Sequence, residues 1–225
     1  YTPKSKLPWD DAVTLVLTYY EIPYEIIYDD EILQNKLPIY DWLHLHHEDF
    51  TGQYGKFYVS YHNAAWYQED EKTNQNIASR NGFSKVSQMK LAVAKKVRDY
   101  VAGGGFMFAM CSATDSYDIA LAAEGLDICE SMFDGDPADK TAQKKLDFSK
   151  CFAFQNFNLV TNPLQYEHSN IDVRDYPLPL DYFTLFDFSA KWDVVPTMLT
   201  QCHQRAIKGF MGQTTAFRKS LVKPS

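Results

Sequence analysis

What the chain lacks narrows its function first. No apolar stretch in the 225 residues approaches the roughly 20 needed to cross a bilayer, and Tyr1-Thr2-Pro3-Lys4 does not read as a signal-peptide start. Basic residues are few: 22 Lys plus Arg stand against 29 Asp plus Glu, a net charge of −7. A broad phosphate-neutralising surface is excluded on that balance, and nucleic acid with it as a partner. The four cysteines, Cys111, Cys129, Cys151 and Cys202, form no Cys-x-x-Cys pair, so zinc ribbons and dithiol redox motifs are excluded too. Their even number permits disulfides without requiring them, which leaves the compartment open.

The length favours one α/β domain over two. Asp10-Asp11 precede Ala12 to Glu21, which reads as a helix with a strand as its rival. Tyr24 to Tyr28 reads as a short strand, Glu31 to Asn35 as a brief helix and Tyr40 to His46 as a second strand. Helix, strand, helix, strand is α/β rhythm, and it implies a further strand upstream of the first helix, so the fold is expected to begin before Tyr1. Residues 51–80 are aromatic and polar and too long for a plain βα connection; they predict a lid or an inserted helical arm. Val86, Met89, Val93, Val97 and Val101 recur at helical spacing and Gly103 stops that helix. The last third, with Phe152-Ala153-Phe154, Tyr182 to Phe186 and Pro196 to Leu199, predicts added β structure.

The most informative residue is Cys111. An apolar run, Phe106 to Met110, ends there, and Ser112-Ala113-Thr114-Asp115 opens a helix that ends at Gly125. In an open α/β sheet this junction lies at the carboxyl edge of a strand, where a turn presents one side chain to a ligand crevice. A helix N-terminus stabilises a thiolate, and backbone N–H groups of the same turn can hold an oxyanion. The bland alternative is a small buried hydrophobe. Gly103-Gly104-Gly105 precedes the strand rather than following it, so it predicts no phosphate loop.

His44, His46, His47, Glu48 and Asp49 form the second constellation. Alternation along a strand puts His44 and His46 on one face, while His47-Glu48-Asp49 enter the loop at the same carboxyl edge. This set can supply a base for Cys111 (His46 or His47, oriented by Glu48), bind a divalent metal through His44, His46 and Glu48, or simply cap carbonyls. A divalent metal is the one cofactor the pattern admits. Asp134, Asp136 and Asp139 lack the twelve-residue pattern of a calcium loop, and His203 is a further candidate base.

The string from Gly103 to Tyr117, GGGFMFAMCSATDSY, resembles the ThuA-like branch of the class I glutamine-amidotransferase-like fold, with Cys111 where ThuA-like members carry His. YDWLHLHHEDFTGQYGKFY, ESMFDGDPADK and IKGFMGQTTAFRKSL also resemble bacterial proteins labelled asparagine synthetase B. The resemblance implies a flavodoxin-like three-layer sandwich with a mainly parallel sheet, in a fold expected to extend beyond both ends of the sequence. It also implies thiol-dependent amidotransferase or hydrolase chemistry on a small amide, or a carbohydrate-binding module, and an exported or periplasmic location with the cytoplasm as alternative; a metal on His44, His46 and Glu48 would make metal-assisted processing of a sugar a third reading. The chain departs from the amidotransferase elbow by having Ala109 and Ala113 at the two small positions, and no His-x-Glu follows Cys111. The expected pocket is built by Cys111, Ser112, Asp115 and the His46-His47-Glu48 loop, with Tyr54, Tyr58, Tyr61 and Trp66 available to stack on sugar rings.

Overall fold

The computed structural model describes residues 1–6, 12–172, 182–184, 206–208 and 217–224. The chain forms two units, one of residues 1–171 with 219–225 and a second of residues 172–218.

The first unit is α/β. Strand β1 (Trp42–Leu45) and strand β2 (Phe106–Ala109) pair in parallel, Trp42 opposite Phe106 and Leu45 opposite Ala109. Helices α1 (Ala12–Tyr19) and α2 (Asp29–Leu33) precede β1. Helices α3 (Tyr58–Tyr61), α4 (Ala65–Arg80) and α5 (Val86–Ala102) lie in the crossover between the strands. Helix α6 (Ser112–Ala122) leaves the carboxyl end of β2, and two short helices, α7 (Ser131–Asp134) and α8 (Ala142–Lys145), follow.

Alternation decides which face of each strand is buried. Leu43 and Leu45 point into a core with Val93, Ala94 and Val97 of α5 and Ala113, Tyr117 and Leu121 of α6. The opposite face carries Trp42, Phe106 and Phe108, which are 54%, 59% and 46% exposed. Helix α5 forms as its period requires, burying Val86, Met89, Val93 and Val97. Lys90 shares that buried face, where its ammonium lies 2.9 Å from the buried Asp29 carboxylate. The helix ends at Gly103, and the chain turns through Gly104 at φ 99°, a backbone that side chains disfavour. A Cβ on Gly105 would lie 2.2 Å from the Tyr100 ring, so the GGG run serves as helix stop and tight turn.

The 51–80 segment is a helical arm rather than loose loop: α4 buries Tyr67, Ile77 and Ala78 against Val86, Met89 and Phe133. Two expected strands are corrected. Residues 24–28 belong to no described strand; Thr2 N–H donates to Ile27 O at 3.2 Å. At Phe152-Ala153-Phe154 all three consecutive N–H groups donate to the Asp118 carboxylate, at 2.7, 2.7 and 2.8 Å. A strand sends alternate N–H groups to opposite sides, so this carboxylate replaces a ladder, and Phe154 keeps a single bridge to Val222.

In the second unit β3 (Tyr182–Thr184) and β4 (Ala206–Lys208) pair antiparallel, and Asp172 bridges to Phe217. Pro196 to Leu199 and His203 lie outside the described residues.

Candidate functional site

Cys111 is the residue between β2 and α6, and its backbone is unusual. It takes φ 51° and ψ −138° at the position just before the first helical turn. A non-glycine residue in that region is strained by about 1–3 kcal/mol, and such strain concentrates at functional turns. The sharp turn leaves its thiol exposed. The other described cysteines behave as the bland reading expects. Cys129 and Cys151 are buried and donate to Thr51 O (3.2 Å) and Asp118 O (3.3 Å). Burial pushes the Cys151 thiol up to about 12 and that of Cys129 well above its usual range.

The elbow is tied to the loop after β1. Met110 N–H donates to Leu45 O at 3.0 Å, extending the ladder by one rung. Ser112 Oγ donates to His47 O (3.0 Å) and Ser116 Oγ to Glu48 O (3.0 Å). The first turn of α6 is thus stitched to residues 45–48, and Cys111 and the imidazole-rich segment are neighbours across that seam. The His44 and His46 rings are 6.1 Å apart and those of His46 and His47 only 3.8 Å apart. His44 also lies 5.4 Å from the Phe108 ring.

Three expected roles are corrected by burial. Glu48 is buried, and its Oε2 accepts the His46 N–H at 2.6 Å, so it braces the loop from within instead of facing a ligand. Burial raises its carboxyl to about 7. Asp115 is buried and accepts the Ser116 N–H at 2.8 Å, which removes it from substrate contact. Tyr54 is 6% exposed and packed against the Tyr67 and Phe133 rings, so it is a wall and not a stacking platform. Burial raises its phenol. The Ser112 hydroxyl proton is committed to His47 O, so toward a ligand its oxygen can only accept.

The metal set is not assembled. Donor atoms of His44, His46 and Glu48 do not converge; among the described residues the one converging group is Asp127, Cys129 and Asp134, within 4.8 Å of one another. Lys85 already fills that place with its ammonium, 2.5 Å from Asp127 and 3.0 Å from Asp134, and also pairs with Asp136. Asp139, the third residue of the calcium reading, pairs with Lys145 at 2.8 Å.

Sequence reasoning passed over the Asp49 junction. Asp49 Oδ1 accepts from Thr51 N (2.7 Å) and Thr51 Oγ1 (2.6 Å), and Oδ2 from the N–H groups of Gln53 and Gly55 (2.9 Å each). Burial works against its charge, but the hydrogen bonds from Thr51 and Gly55 favour the carboxylate and the carboxyl lies below its ordinary range. Lys56, buried, donates to Val160 O and Asn162 O at 2.9 Å each, and burial lowers its ammonium to about 8. Beside this junction lies a small open cleft lined among others by His47, Asp49, Phe57, Trp66, Asp70 and Asn74. The ring of Phe57 meets Trp66 at 5.8 Å, Tyr61 at 6.0 Å and Tyr166 at 5.7 Å. The Asx-type spacing Asp49-x-Thr51 was the signal in the sequence that Asp49 folds back on its own loop.

No described helix is long and apolar enough to cross a membrane. Comparison with protein-family models, curated proteins and solved structures finds no match to the chain.

Proposed function

We propose that this chain is a thiol-dependent hydrolase or amidotransferase-like enzyme acting on a small amide or acyl substrate, with Cys111 as nucleophile. In this reading β1 and β2 belong to a flavodoxin-like three-layer sandwich to which the C-terminal third adds β structure. The supporting observation is the strained, left-handed backbone of an exposed non-glycine residue at a strand-to-helix turn. His46 or His47 takes the thiol proton and the sulfur bonds to the carbonyl carbon. The N–H groups of Ala113 and Thr114 are already given to Met110 O and Cys111 O, at 3.1 Å each. The Ser112 N–H, at the first helical position, is the donor of that turn to the oxyanion. Collapse breaks the carbon–nitrogen bond, the imidazole returns its proton to the leaving amine, and water hydrolyses the thioester to release the acid and restore the thiol.

The test is a p-nitrophenyl acetate incubation followed by peptide mapping. An acetyl thioester on Cys111, formed faster than on glutathione and lost in Cys111→Ala, supports the assignment. Acetylation no faster than that of glutathione contradicts it.

A second reading rests on the cleft. Half-buried Phe57 and Trp66 beside Asp70 and Asn74 suit a carbohydrate ring, with its apolar face against the aromatics and its hydroxyls on the polar groups. Quenching of Trp66 fluorescence by a sugar, absent in Trp66→Ala, would favour binding over catalysis.

A further inference from the structure

The hairpin of residues 158–170 is held to the loop after β1 at two buried points. Its rungs are Val160 N–H to His168 O (2.9 Å) and Asn170 N–H to Asn158 O (3.1 Å). One attachment is Lys56, whose ammonium takes the carbonyls of Val160 and Asn162. The other is His168, 5% exposed, whose Nδ1 meets Thr51 Oγ1 in a long 3.5 Å contact.

The hydrogen-bond order around Thr51 fixes which nitrogen of that ring carries a hydrogen. Thr51 Oγ1 has one proton and gives it to Asp49 Oδ1 at 2.6 Å. It accepts from Gln53 Nε2 at 3.0 Å. Toward His168 it can then only accept, so Nδ1 carries the hydrogen and a neutral ring presents a bare lone pair at Nε2. That nitrogen is buried with no protein partner among the described residues. Adding a proton there creates a buried N–H without an acceptor and a second cation beside Lys56. The charged groups acting on the ring are Asp49 from the loop, which favours the cation, Lys56, which opposes it, and Glu167 on its own segment, which favours it. Burial is the largest influence and holds the ring neutral below the ordinary imidazole value.

We propose that His168 is a proton-operated latch: taking up a proton at Nε2 releases the 158–170 hairpin from the 49–57 loop and opens the aromatic cleft. The hairpin tip reaches that cleft, since the Tyr166 ring packs on Phe57 at 5.7 Å. Acidification therefore widens the cleft and frees the loop that follows His46-His47-Glu48. The latch is independent of any chemistry at Cys111. Glu48 titrates in the opposite sense, because a carboxyl raised by burial is stabilised as pH falls; it cannot mimic the release.

Hydrogen–deuterium exchange on the full chain tests this, with rates corrected for intrinsic exchange. The rung amides of Val160 and Asn170 should lose protection by on the order of tenfold between about pH 7 and about pH 5, the gain expected when opening lets a neutral buried imidazole take up a proton. His168→Asn keeps an N–H donor for Thr51 and cannot titrate, so its rungs should change by less than about twofold over the same range. Equal loosening in wild type and variant, or none in wild type, overturns the latch. Should the variant fail to fold, the wild-type ring resonance decides. A His168 ring still neutral at about pH 6 supports the latch, and one that titrates at the ordinary value of about 6.5 overturns it.

Discussion

The Cys111 elbow and the Asp49 junction sit at opposite ends of one seam and handle free energy in opposite ways. At the elbow the backbone is strained and the thiol exposed, and the neighbouring hydroxyls of Ser112 and Ser116 are spent on holding the loop. At the junction every strained residue is compensated. Tyr54, Gly55 and Lys56 all take positive φ, yet the Asp49 carboxylate collects four hydrogen bonds from the same loop and Lys56 gives two to the hairpin. Strain enclosed by charge-assisted hydrogen bonds is structural, because the bonds over-determine the conformation. Strain left at the surface with a reactive side chain on it is a candidate for chemistry.

Substitutions should separate the two regions, beginning at the junction. Asp49→Ala leaves the Thr51, Gln53 and Gly55 N–H groups without their acceptor and the Lys56 charge without its nearby anion. Loss of about 3–5 kcal/mol in denaturant unfolding is expected. A loss under about 1 kcal/mol would remove the junction from its structural role.

Glu48 is the next largest effect. Its folded value of about 7 lies above the ordinary 4.5, so its contribution to stability is fully present below about pH 4.5 and lost as pH rises toward 7. The change across that window is about 3 kcal/mol at most for a fully buried group. Glu48→Gln should flatten this part of the stability profile; an unchanged slope would show that Glu48 is not the group responsible.

At the elbow the sign reverses. Cys111→Gly relieves the left-handed backbone and should raise stability by about 1 kcal/mol, while abolishing acylation. A destabilisation of that size would mean that the turn is not strained in solution.

The parts of the fold that were readable in the sequence are those whose signals are local. The stripe on α5, the GGG stop and the apolar run into Cys111 lie within 30 residues, and the structure places them as the spacing predicts: α5 at Val86–Ala102, β2 at Phe106–Ala109, α6 from Ser112. Tyr24 to Tyr28 has β-forming residues but no strand beside it among the described residues, and propensity without a ladder does not make a sheet. Phe152 to Phe154 is likewise rich in β-forming aromatics, and a carboxylate 34 residues upstream of Phe152 took its N–H groups. In the site, the neighbourhood of Cys111 and the His46-His47 segment followed from both lying at strand ends. The inward turn of Glu48 and the burial of Asp115 and Tyr54 did not, because an acidic or aromatic residue beside a turn looks the same whether it faces solvent or braces the loop. His168 reaches Thr51 across 117 residues, a distance that no local pattern encodes.

The most direct measurement is the rate of iodoacetamide alkylation at pH 7, resolved by peptide mapping. Cys111 should react faster than free cysteine while Cys129 and Cys151 stay unlabelled in the folded chain. Labelling of Cys111 at or below the rate of free cysteine would contradict an activated nucleophile at the strand-to-helix turn.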